Sequence, residues 1–79
     1  MTDNYEVRIT GYTYGTPGHI AFERTITGDA VRKAMALANA PNLEHLFGGA
    51  YKLARKDVMQ ILGPDVPRGL WYFLETVAV

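Results

Sequence analysis

The chain contains no cysteine, so it can form neither disulfides nor thiolate-bound metal sites. Its two histidines, His19 and His45, are too few to complete a zinc site alone. No apolar run approaches the roughly 18 residues needed to cross a bilayer. The first ten residues, MTDNYEVRIT, lack the basic region and apolar stretch of a secretory leader. A soluble, cytoplasmic protein is expected, with no membrane partner. Net charge is absent too, because eight basic and eight acidic residues cancel. The chain as a whole therefore has little long-range attraction for a polyanion.

What is present is ordinary globular material: 79 residues, 48% apolar and 20% charged. That length accommodates a single domain, residues 1–79, around one core. Such a core rarely supplies more than about 3 to 5 kcal/mol, so small chains add staples. With disulfides and thiolate metal excluded, association with a second chain is the staple left.

The longest nearly uninterrupted apolar run is Gly69 to Val79, GLWYFLETVAV, in which only Glu75 is charged. Aromatic and β-branched residues dominate it, and Gly63-Pro64 and Pro67-Arg68-Gly69 precede it, so it reads as a strand. If its even residues face inward, Leu70, Tyr72, Leu74 and Ala78 join the core. Trp71, Phe73, Glu75, Val77 and Val79 then face out. The opposite register buries Glu75, and an unpaired buried carboxylate costs several kcal/mol or stays protonated. The first register is therefore preferred. It sets Trp71 and Phe73 beside Tyr12 on an apolar outer face, unless the strand end curls under a helix.

Upstream, Tyr5, Val7 and Ile9 alternate with Glu6, Arg8, Thr10 and Tyr12, the period of a half-buried strand. After the turn residues from Gly11 to Gly18 a second alternation follows, with Ile20, Phe22 and Ile26 inward and Ala21, Glu23 and Thr25 outward. The two strands form a hairpin. Thr27-Gly28-Asp29 offers side-chain oxygens for an N-cap, and AVRKAMALANA reads as a helix closed by Pro41. Its stripe is Val31, Ala34, Met35 and Ala38. Asn42 opens a second helical region carrying Leu43, Leu46, Phe47, Ala50, Leu53, Ala54, Val58, Ile61 and Leu62 in helical phase. The pair Gly48-Gly49 breaks it, since each glycine costs a helix interior about 1 kcal/mol relative to alanine. Alternatively, Asp57 caps a separate final turn.

Charge is uneven along the chain. Between Val31 and Lys56 lie Arg32, Lys33, Lys52, Arg55 and Lys56 against the single acid Glu44, a net of four positive charges, and the remainder carries four negative ones. The helical phase gathers Lys52, Arg55 and Lys56 with His45 and Gln60 into a basic ridge. The expected partner-binding residues are thus Arg32, Lys33, Lys52, Arg55 and Lys56 on the helices and Tyr12, Trp71 and Phe73 on the sheet.

No pattern carries catalysis, metal binding or a cofactor. Glu44-His45 lacks a second histidine at one-turn spacing. Asp57 beside its basic neighbours is ordinary helix-surface chemistry, and Gly48-Gly49 lacks the lysine and hydroxyl residue of a phosphate loop. The expected fold is α+β in the order β-β-α-α-β, a three-stranded, mostly antiparallel sheet with helices on one face. In size and style, though through no motif, the chain resembles the small single-domain proteins encoded by phages, among them anti-CRISPR inhibitors. That resemblance implies a non-enzymatic inhibitor that blocks a surface of a host protein or nucleoprotein complex, such as a CRISPR effector, and transfers no site residue. Two other classes remain: a small nucleic-acid-binding regulator, and a homo-oligomeric structural or assembly protein. Direct nucleic-acid binding is disfavoured because this reading puts aromatic and basic groups on opposite layers.

Overall fold

A computed structural model describes residues 5–15, 17–40 and 50–78. The elements run β1 (Tyr5–Thr13), β2 (Ile20–Ile26), α1 (Asp29–Leu37), β3 (Ala50–Leu53), α2 (Arg55–Leu62) and β4 (Leu70–Ala78). Among the described residues four strands form one sheet in the order β2-β1-β4-β3, with every neighbouring pair antiparallel. The fold is thus a small α+β domain.

The expected third strand does become β4, pairing with β1 along nine positions from Tyr5↔Ala78 to Thr13↔Leu70. Its even residues face the helices: Tyr72 and Leu74 are buried opposite Gly11 and Ile9. Trp71, Phe73, Glu75 and Val77 point the other way, opposite Tyr12, Thr10, Arg8 and Glu6. The core lies between that inner face and the helices, built from Val7, Ile9, Ile26, Leu53, Tyr72 and Leu74 of the sheet with Ala34 of α1 and Val58 of α2.

The sheet has one strand more than expected. Ala50–Leu53, placed in a helix by phase, is the edge strand β3, paired with β4 through Ala50↔Glu75 to Leu53↔Tyr72. This short segment satisfies both periods. As a strand it turns Tyr51 and Leu53 inward and covers part of an otherwise bare edge of β4, an exposed row of backbone donors and acceptors that proteins avoid. Helix α2 then starts at Arg55, with Asp57 in its first turn near the positive end of the helix dipole. The expected Asn42 cap, Leu43, Leu46, Phe47, the Glu44-His45 pair and the Gly48-Gly49 break lie outside the described residues.

Helix α1 presents the expected stripe, with Ala34 buried and Val31, Met35 and Ala38 packed around it. Its start differs. Gly28 at φ 58° is the N-cap, no side chain caps the helix, and Asp29 sits in the first turn. The C-terminus closes before Pro41. The amide of Ala40 donates to the carbonyl of Met35 (2.9 Å) and that of Asn39 to Ala36 (3.3 Å). Asn39 takes the left-handed conformation at φ 58°, the paired bonds and left-handed residue of a Schellman motif.

In β2, Phe22 and Ile26 face inward as expected, but Ile20 does not. A register shift beside Gly11 and Tyr12 pairs Ile20 with Tyr12, and Ile20 is 57% exposed. Between Phe22 and Tyr72 lies Gly11 of β1. The two rings meet across it edge to face, centroids 5.7 Å apart. A Cβ on Gly11 would come within 2.9 Å of both Leu70 and Tyr72 and 3.1 Å of Phe22. Gly11→Ala should therefore destabilise the domain by about 1 to 3 kcal/mol, as overpacking does. Gly15→Ala, whose Cβ meets only the Pro17 carbonyl at 3.6 Å, should be nearly neutral. Thermal melts of the two variants test this. Equal melting temperatures would mean that the ring contact does not depend on the glycine.

Candidate functional site

Alternation along four strands puts a defined set of side chains on the sheet face turned away from the helices. Ordered from β2 to β3, one row reads Thr25, Arg8, Glu75, Ala50 and the next Glu23, Thr10, Phe73, Lys52. A third reads Ile20, Tyr12, Trp71, with Glu6 and Val77 beyond the first row.

Glu75 is anchored in the middle of this face. Its carboxylate accepts from the Tyr12 hydroxyl at 3.0 Å and from the Thr10 hydroxyl at 3.3 Å. Thr10 is buried beneath these neighbours although it faces outward. Tyr12 stands edge-on to Phe73, centroids 5.7 Å apart. Near the β2 edge, Arg8 binds Glu6 at 2.7 Å and reaches Glu23 at 3.4 Å. Its guanidinium is held above its ordinary pKa, chiefly by the Glu6 hydrogen bond.

The aromatic corner is more open. Trp71 is 44% exposed and Tyr14 60%, with their rings tilted together at 4.9 Å. Lys52 places its ammonium 3.9 Å from the Trp71 ring centroid, a cation–π contact worth about 0.5 to 1 kcal/mol at an exposed position.

The expected site residues separate into two groups. Tyr12, Trp71 and Phe73 share the open face, and Lys52 joins them because it belongs to β3. The basic ridge does not assemble. Arg32 pairs with Asp29 at the start of α1, and Lys33 donates to the Gln60 carbonyl at 2.8 Å, tying α1 to α2. Arg55 places Nε and Nη2 on the Val66 carbonyl at 3.1 and 2.7 Å, clamping the chain that leads into β4. Lys56 is exposed on α2. The expected separation of aromatics from basic groups is likewise corrected by Lys52 and Trp71.

The sequence places Glu6, Arg8 and Glu23 outward, as found, but does not join them into one ion cluster; it favours packing across the strands for Tyr14, and it puts Ile20 on the inner face. Tyr14 and Tyr12 two residues apart, and Tyr51-Lys52-Leu53 read with period two, were the available signals. Among the described residues no pocket is present and no three His, Asp or Glu side chains gather as a metal set. No helix there is long and apolar enough to cross a membrane. No protein-family model matches the chain, and no curated protein or solved structure shows significant similarity to it.

The Tyr12 phenol is pushed above its ordinary value of 10, first by burial, then by the hydrogen bond and charge of Glu75 and the charge of Glu23. Burial also raises Tyr72, with Arg55 opposing. In the unfolded chain these phenols ionise at the ordinary value. The stability they contribute is complete below about pH 10 and is lost as pH rises from there through the folded-state values. Urea midpoints should therefore fall as pH rises above about 10, and Tyr12→Phe should make the fall shallower. An equally steep fall in the variant would exclude Tyr12 from the effect.

Proposed function

We propose that this chain is a non-enzymatic binding protein that occupies a surface of another protein or of a nucleoprotein complex, using the open face of its sheet. One observation carries the reading. An exposed tryptophan lies between an exposed tyrosine and a lysine on a sheet face that neither helix covers. Tryptophan and tyrosine dominate the energetic centres of protein interfaces, and Tyr12, Phe73 and Ile20 extend the patch. The polar network around Glu75 and Arg8 suits the hydrogen-bonded surround of such a centre. The cations of the helical layer are less suited to the role, because Arg32, Lys33 and Arg55 already serve contacts within the fold. A CRISPR effector is the nucleoprotein to which the resemblance in size and style points.

A second reading, binding of single-stranded nucleic acid, draws on the same Lys52–Trp71 pair, since aromatic platforms beside cations stack bases. The face nonetheless carries three carboxylates, Glu6, Glu23 and Glu75, against the two cations Arg8 and Lys52. A protein surface fits that balance better than a phosphate chain does.

The test is affinity capture from lysate of cells in which the protein occurs, using the parent, Trp71→Ala and Lys56→Glu, followed by affinity measurement on the captured partner. Trp71→Ala should weaken binding by about tenfold or more, as loss of an interface anchor does, while Lys56→Glu binds like the parent. Loss with Lys56→Glu alone would move the contact to the helical side. Tight, salt-sensitive binding of a single-stranded oligonucleotide, abolished by Trp71→Ala, would establish the second reading instead.

A further inference from the structure

The charges on the open face are arranged antisymmetrically across the strands. Glu23 on β2 and Lys52 on β3 stand at opposite ends of one row, and Arg8 on β1 and Glu75 on β4 are neighbours in the next. A two-fold axis parallel to the strands and lying above the face reverses the strand order while keeping each row in place. Under that operation Glu23 meets Lys52 of the second copy, Arg8 meets Glu75, and Tyr12 meets Trp71. We propose that this face docks a second copy of the same chain, sheet against sheet, about such an axis. The proposal rests on the preceding reading of the face as a contact surface and gives that face a second occupant, a copy of the chain that a foreign partner displaces.

Three considerations support it. The first is charge complementarity: the two rows set four opposite-sign pairs across the interface, and like charges meet nowhere in them. Glu6, the remaining charge, stays with its own Arg8 at 2.7 Å, while Glu23, at 3.4 Å from that guanidinium, has the looser attachment and is available to Lys52. The second is geometry. Sheets stack face to face about 10 Å apart with strands within about 30° of alignment, and long Glu and Lys side chains span the offset that this angle produces at the corners.

The third is area. Strands about 4.8 Å apart with a rise of about 3.4 Å per residue give this face roughly 500 Å². A pair would bury about 1,000 Å² in all, the lower bound of a specific interface. The association should accordingly be concentration-dependent rather than permanent. It also supplies the staple that a small cysteine-free core lacks.

The experiment is sedimentation equilibrium over a concentration series on the parent, Lys52→Glu, Glu23→Lys, their equimolar mixture, and the double swap, with circular dichroism confirming that each is folded. The parent should dimerise. Each single variant sets like charges opposite each other and should associate at least tenfold more weakly. The mixture should recover dimers, because a chain with glutamate at both positions meets one with lysine at both, and the double swap should recover them within one chain. Two results overturn the proposal: a parent that is monomeric throughout, or single variants that dimerise as tightly as the parent. A monomeric parent whose captured foreign partner is lost on Trp71→Ala removes the second copy but leaves the contact face. Capture and self-association both indifferent to Trp71→Ala remove the face itself.

Discussion

A carboxylate in the most apolar segment of a small protein restricts where that segment can go. Glu75 cannot enter the core without a partner, and it finds its partners on the other side of the sheet, in the hydroxyls of Tyr12 and Thr10. Once Glu75 faces out, strand periodicity turns Leu70, Tyr72 and Leu74 toward the helices and Trp71, Phe73 and Val77 away from them. The same two hydrogen bonds tie β4 to β1. Both the composition of the core and the character of the open face follow from how one charged side chain is accommodated.

The features readable in the sequence are those set by strong local pattern. The alternation in β1, the Ala34 stripe of α1 and the outward position of Glu75 each follow from period and polarity. Ala50–Leu53 was not readable, because its apolar residues fit a helical phase and a strand phase equally well. Pairing with β4, at a distance in sequence, decides between them. That one reassignment also dissolves the basic ridge, since a residue cannot share a helix face with Arg55 and Lys56 while standing in a strand. Ile20 was misplaced because a register shift resets the alternation, and the side-chain cap of α1 because Gly28 occupies the capping position with a backbone conformation that glycine readily adopts.

The helical layer shows where the cations of the central segment go. Arg55 holds the Val66 carbonyl, and the Tyr72 hydroxyl donates to the carbonyl of Pro67. Two adjacent carbonyls of the connection between α2 and β4 are thus fixed from two different elements. Val66 is buried between these anchors and is the point at which this otherwise exposed connection joins the core. Positive charge at Arg55 therefore serves chain geometry.

The strand order also has a consequence for synthesis. β4 lies between β1 and β3, yet it follows both in the chain, so on the ribosome its neighbours emerge before the strand that joins them. The β1–β2 hairpin and α1 can form early from local contacts, but β3 gains its ladder only when β4 arrives. Pairing across such sequence separation is entropically slow. Until then β3 has no strand beside it, and an unpaired apolar strand is the kind of segment most open to misassociation.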